Sequence, residues 1–276
     1  MSAFTTGLGW ELPPLGFGTY KLNGARGADA IRTAIDMGYR LIDTAYNYEN
    51  EGTVGKAITQ TDVPRDKLIV TSKLPGRYQA YDLARQTIEE SLYRLGLDTI
   101  DLYLIHWPLP RLDLYVEAWT ALIDAKRQGL VTHIGVCNFL PEHLERLESE
   151  TGVLPEVNQV ELHPYFPQLD ALEYNHAKGI VVEAWSPLGR GNSLLSEPTI
   201  TQIAQAHEVT PGQAVLAWHR QIGALALPKA TSASHQKQNL ASLTVTLTAD
   251  EVAAISALGR PDGRTKGQDP ATWEEF

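Results

Sequence analysis

Leu15-Gly16-Phe17-Gly18-Thr19-Tyr20-Lys21 starts like the glycine-rich turn of an open dinucleotide-binding sheet and then departs from it. Such a sheet needs Gly-x-Gly-x-x-Gly after its first strand, so that the backbone can approach a pyrophosphate at a helix N-terminus. Lys21 stands where the third glycine would be. Gly55-Lys56 fails as a phosphate loop for a similar reason, since Asn50 occupies the upstream glycine position. What remains is a repeating pattern. Short runs rich in Val, Ile, Leu and aromatics fall at residues 15–19, 39–43, 68–73, 100–106, 132–137, 156–160, 180–185 and 224–228. Between and after them lie segments of helical period at 28–37, 53–58, 82–95, 114–128, 141–150, 168–178, a long insertion at 197–221, and 233–240. Strands this apolar, each followed by a helix, read as a parallel sheet covered by helices. Eight of them is the number that closes into a (β/α)₈ TIM barrel.

Local signals agree with that α/β reading. In the third helical segment Leu83, Ile88, Leu92 and Leu95 fall near one face, and Glu89, Glu90 and Arg94 fall elsewhere. Gly38, Gly96 and Gly129 stand where helices should stop. Residues 4–11 are expected to form a short N-terminal hairpin over the barrel floor, 248–259 a last helix and 261–276 a tail. No Pro/Gly/Ser-rich linker or internal repeat divides the chain, so residues 1–276 are expected to form a single barrel domain.

Composition excludes several function classes. Hydrophobic residues make up 43% of the 276 and charged residues 20%, which supports a large core and argues against disorder. The net charge of −10 repels a nucleic-acid backbone, and an anionic ligand would have to be met by local cations. The single cysteine, Cys137, allows no intrachain disulfide and no zinc cluster, so no metal is expected. The N-terminus lacks a secretory pattern, and no apolar run approaches the ~18 residues of a membrane span. A cytoplasmic enzyme, monomeric and acting on a small molecule, is the expectation.

The chemistry concentrates at strand ends. Leu41-Ile42-Asp43 ends on a carboxylate, and Tyr48 follows five positions later; the third run ends on Lys73 and the fourth on His106. The later strands end at Cys137 and Asn138, carry Gln159, and end at Trp185 with Ser186 and at Lys229. In a barrel these C-terminal ends share one mouth. Taken singly, Asp43 could be a helix N-cap, Lys73 a solvated strand end, His106 a core histidine and Tyr48 a loop aromatic. Taken together, an acid, an amine, a phenol and an imidazole can hand a proton to a carbonyl oxygen.

The segments 38–58, 69–75, 101–108, 134–139, 157–165 and 183–189 resemble, in order, the signatures of the aldo-keto reductases. The ending Asp269-Pro270-Ala271-Thr272-Trp273 is most similar to the bacterial 2,5-diketo-D-gluconate reductase branch. The resemblance implies a barrel that binds NADPH without a Rossmann domain and reduces aldehydes or ketones, small dicarbonyls among them. It implies a catalytic tetrad of Asp43, Tyr48, Lys73 and His106, with Tyr48 as general acid and its pKa lowered by Lys73. Tyr48, His106 and Trp107 would face the substrate, with Tyr20, Tyr46 and Trp273 as further wall candidates.

On the cofactor side it implies Gly18, Thr19, Tyr20 and Asp43 near the first strands. Asn138 and Gln159 would hold the nicotinamide carboxamide beside Cys137, and Trp185 would stack on the ring. Ser186, Leu188, Gly189 and Arg190 would wrap the pyrophosphate. Lys229 would meet the ribose 2′-phosphate where His235 stands for the usual arginine, and Ala230, Thr231, Gln238 and Asn239 would bind the cofactor beside them. The chain departs from the family pattern where Ala230 replaces a serine, His235 an arginine, Gln238 a glutamate and Cys137 a serine. A ring mostly neutral at pH 7 in place of a guanidinium weakens NADPH preference and opens a use for NADH. Two other readings stay open: an NADP(H)-binding partner module with little turnover, and a Schiff-base lyase with Lys73 as nucleophile.

Overall fold

The computed structural model describes residues 3–275. A two-stranded antiparallel hairpin, β1 (Phe4–Thr5) and β2 (Glu11–Leu12), precedes eight parallel strands. These are β3 (Phe17–Gly18), β4 (Leu41–Asp43), β5 (Ile69–Leu74), β6 (Ile100–Ile105), β7 (Val131–Cys137), β8 (Val157–Glu161), β9 (Val181–Trp185) and β10 (Ala224–Ala226). Each pairs with the next in chain order. A parallel bridge from Leu15 to Ala226, with Gly16 N–H on the Ala226 carbonyl, joins the last strand to the first and closes the barrel. A side chain at Gly16 would collide with Leu41 and Leu227, and one at Gly18 would press on the Leu227 carbonyl, so the closing edge is built from backbone in close approach.

Strand alternation then sorts the side chains. Leu41, Leu102, Leu104, Val157, Val181, Leu225 and Leu227 point inward and pack on one another, with Leu12 of the hairpin plugging the floor. Their neighbours Ile42, Val70, Tyr103, Ile105, Ile134 and Val136 point outward into the layer beneath the helices. Two residues beyond the inward leucines and valines stand Asp43, His106, Gln159, Glu183 and Lys229. The interior is therefore apolar at the floor and polar at the mouth, an arrangement encoded by the step of two along each strand.

The outer layer contains α1 (Gly24–Met37), α2 (Glu51–Thr59), α3 (Tyr81–Leu95), α4 (Tyr115–Arg127), α5 (Pro141–Thr151), α6 (Leu169–Ala177), α7 (Pro198–Ala206), α8 (Pro211–Ile222), α9 (Ala233–Ala241) and α10 (Ala249–Ser256). The insertion at 197–221 divides because Thr210 caps α8 in a reciprocal box with Gln213 and Pro211 fits its first turn. Leu83 corrects the reading of α3: Ala84, Ile88, Leu92 and Leu95 form the buried stripe, and Leu83 is exposed. Gly55 sits against the Leu95 carbonyl, which gives it a packing role between α2 and α3. Among the described residues no helix is long and apolar enough to cross a membrane.

Candidate active site

The mouth is organised around Lys73. Its side chain is fully buried, and its ammonium donates to Asp43 Oδ1 at 2.6 Å and to the Thr44 carbonyl at 2.8 Å. Asp43 is 4% exposed and paired, so it is no helix cap, and Lys73 is no solvated strand end. Burial alone would push the Lys73 pKa down; Asp43 and Tyr48 carry it above its usual value, so the amine stays charged. Thr19 supports the pair from below, its N–H and hydroxyl both donating to the Asp43 carbonyl.

Tyr48 ends a single helical turn (Tyr46–Tyr48) that bridges β4 and α2. The Lys73 ammonium lies 5.0 Å from its ring centre. Burial pushes the Tyr48 pKa up to about 12, and Lys73 pulls against that without reversing it. Lys73 thus acts in the expected direction, but desolvation of the phenolate outweighs one ammonium and the net shift is upward. His106 follows β6, with its ring centre 6.0 Å from that of Tyr48. Its Nδ1 lies 2.9 Å from Glu275 Oε1, a residue of the C-terminal segment that the sequence reading did not single out.

A second polar chain crosses the barrel. Gln159 donates from Nε2 to Asp43 Oδ1 and to Glu183 Oε2, each at 2.8 Å. Asn138, in the left-handed region at φ 63°, donates to the His106 carbonyl and accepts the Trp185 indole N–H at 2.8 Å. Trp185 is thereby fixed in orientation, and Arg190 lies over both it and Tyr20, at 5.4 and 5.5 Å. Cys137 is buried, and burial pushes its thiol well above its usual range, in keeping with a packed rather than reactive side chain.

Two adjoining cavities open at the mouth. The larger, about 590 Å³, is lined by Gly18, Tyr20, Asp43, Tyr48, Trp185, Ser186, Leu188, Arg190 and Lys229 among the expected residues. Lys21, Lys266 and Thr265 join them, so cations ring this cavity on a chain of net charge −10. The smaller, about 240 Å³, brings Tyr48, His106 and Trp107 together with Cys137, Asn138 and Gln159. Asn47, Gln268 and Glu275 also line it.

Other expected residues lie outside both cavities. Thr19 is buried beneath Asp43, Gly189 turns the loop before Arg190, and Ala230 packs into the core. Thr231 accepts a hydrogen bond from Lys229, His235 and Gln238 are exposed on α9, and Asn239 is buried. Trp273 packs against Trp107 at 6.2 Å, whereas Tyr46 turns away to Arg94, which donates to its hydroxyl.

The aldo/keto reductase family profile matches residues 14–260. The chain belongs to the aldo/keto reductase family. The 2,5-diketo-D-gluconic acid reductase B of Corynebacterium sp. (strain SHS752001) is 50% identical over 95% of this chain and 94% of its own. Morphine 6-dehydrogenase of Pseudomonas putida is 39% identical over 95% and 92%. Among solved structures, a variant of Gox0644 in complex with NADPH superposes with TM-score 0.93 at 39% identity, covering 99% of this chain and 98% of that one. The protein is thus an NAD(P)H-dependent oxidoreductase of this family.

Among the described residues of the reductase, Glu183 is the one buried carboxyl of the mouth with an unpartnered oxygen, Oε1. Burial first, and Asp43 second, raise its pKa from 4.5 to about 8. The folded protein therefore holds this proton more tightly than the unfolded chain. The stability it contributes is complete below pH 4.5 and is lost as pH rises through about 8. Replacing Glu183→Gln keeps the shape of the neutral acid without the titration. Urea unfolding at pH 5 and pH 9 should show the wild type losing up to roughly 4 kcal/mol more than the variant between the two. Identical losses in both proteins would refute a protonated Glu183.

Proposed function

We propose that the barrel, as one reductase domain, reduces small aldehydes and ketones with NADPH, with Tyr48 as general acid and His106 as second donor to the carbonyl oxygen. The observation that carries this reading is the fully buried Lys73, charged and held by Asp43, 5.0 Å from the Tyr48 ring. When bound, NADPH supplies the hydride. The cation-ringed larger cavity suits its phosphates, and the fixed Trp185 ring offers a stacking surface beside Tyr48.

The proton side rests on this chain alone. A phenol with a pKa of about 12 stays protonated in the resting site, so Tyr48 always has a proton to give. As the carbonyl oxygen gains charge, it accepts from the Tyr48 hydroxyl and from a ring N–H of His106. Proton transfer leaves a phenolate, and Lys73 neutralises it at the moment it forms. A lysine held charged is a poor Schiff-base nucleophile, which argues against the lyase reading.

Gln159 spends both N–H groups on Asp43 and Glu183, leaving Oε1 to accept from a carboxamide N–H. Lys229 is the cation offered to a 2′-phosphate, with His235 exposed in the first turn of α9 as a weaker partner than arginine. Use of NADH beside NADPH follows from that exchange. For the substrate, Arg190, Lys266 and Gln268 around the smaller cavity favour a small carbonyl compound that bears an anionic or hydroxylated tail, and 2,5-diketo-D-gluconate is of that kind.

Tyr48→Phe should lower kcat for a reactive aldehyde by about 10²–10⁴-fold while leaving NADPH affinity within about twofold. Retained turnover would refute Tyr48 as the acid, and no turnover by the wild type despite tight NADPH binding would sink the reductase reading. His235→Arg should lower the Kd for NADPH about tenfold and that for NADH little. Equal changes for both cofactors would remove His235 from the 2′-phosphate site.

A further inference from the structure

Of the C-terminal segment, Glu275 comes up against His106. Glu275 Oε1 accepts from Asn47 Nδ2 at 2.8 Å, and Oε2 accepts from the Gly76 N–H at 3.0 Å. Oε1 also lies 2.9 Å from His106 Nδ1. That contact is close but poorly aligned for a hydrogen bond, and His106 Nδ1 has no other partner among the described residues. The three partners come from three different loops: Asn47 precedes Tyr48 after β4, Gly76 follows β5, and His106 follows β6. Side-chain exposure of 15% for Glu275 and 14% for His106 reduces screening of the contact by water.

The docking is backed by the backbone. Gly76 has no room for a side chain, because the Glu275 carbonyl and Leu109 occupy the space a Cβ would need. Asn47 is itself braced, accepting from Arg77 at 2.6 Å. Next to Glu275, Glu274 accepts from the Arg111 N–H at 2.9 Å, and Trp273 lies on Trp107. A tail held only by packing would not need a buried carboxylate aimed at the imidazole.

We propose that Glu275 is a positioning residue of the reductase: its carboxylate ties His106 and the Asn47–Tyr48 turn to a single anchor, and so fixes the spacing of the two donors to the carbonyl oxygen. The inference rests on the reductase reading for its catalytic consequence. Its structural content, a carboxylate that orients His106, stands separately. The carboxyl is held down to about 2 by His106 and its hydrogen bonds against the opposing effect of burial, so it stays ionised at working pH. A positioning group acts on the transition state more than on ground-state binding, so its loss falls on kcat.

The test compares Glu275→Gln, Glu275→Ala and Glu275→Asp with the wild type. Glu275→Gln is isosteric and keeps acceptor capacity for Asn47 and Gly76 but removes the charge facing His106. Aldehyde reduction should lose about 10-fold in kcat in Glu275→Gln and about 100-fold in Glu275→Ala, with KM nearly constant and partial recovery in Glu275→Asp. The Kd for NADPH, read by fluorescence, should stay within about twofold, which also reports an intact fold. Rates within about twofold of wild type in Glu275→Gln and Glu275→Ala would overturn the proposal, as would loss of NADPH binding in all three variants. The NMR signal of the His106 ring gives a readout independent of turnover. It should shift in Glu275→Gln while the other histidine rings do not, and an unmoved His106 signal would overturn the proposal even if the protein reduces no carbonyl.

Discussion

A lysine ammonium with no exposure to water can exist only where an anion meets it, and the Lys73–Asp43 contact at 2.6 Å is that meeting. Removing one member of such a pair leaves an uncompensated buried charge and typically costs about 3–5 kcal/mol. The rest of the mouth is arranged to keep the pair satisfied. Thr19 and the Thr44 carbonyl hold its backbone side, Gln159 donates to the same Asp43 Oδ1 that accepts from Lys73, and the raised pKa of Glu183 keeps it from adding a second negative charge at neutral pH. A closed parallel barrel suits this design. Its floor is packed with leucine and valine, so the charged layer has nowhere to relax and faces only the cavity.

Tyr48 inherits its chemistry from that layer. Desolvation keeps the phenol protonated, and the fixed ammonium beside it lowers the cost of the phenolate once the proton has left. Charge is arranged in the opposite sense at the rim. Lys21, Arg190, Lys229 and Lys266 gather around the larger cavity although the chain as a whole carries −10, so an anionic dinucleotide meets a local field that the net charge conceals.

The eight strands and the gathering of Asp43, Lys73 and His106 at one mouth were legible because both follow from strand alternation. Apolar runs marked the strands, and these three residues at the ends of their runs fell on the inward parity, whereas Tyr48 sits on the turn after β4. What escaped depended on contacts distant in sequence or on competing energies. Glu275 and Lys266 lie in the tail, and nothing in their local pattern says that this segment folds back over the mouth. Tyr46 carries the same signal as Tyr48, yet Arg94 on α3 holds its hydroxyl outside the cavity. Leu83 satisfies a loose helical period and still misses the buried stripe by one position. The sign of the Tyr48 shift required knowing how dry the site is, which residue identity does not convey.

The central claim is that Asp43 and Lys73 act as one unit on the phenol. A double-mutant cycle on the rate of hydride transfer in a single turnover, with Asp43→Asn, Lys73→Met and the double variant, tests it most directly. The double variant should be no slower than the worse single variant, leaving a coupling energy of at least about 2 kcal/mol between the two positions. Losses that simply add would contradict the account.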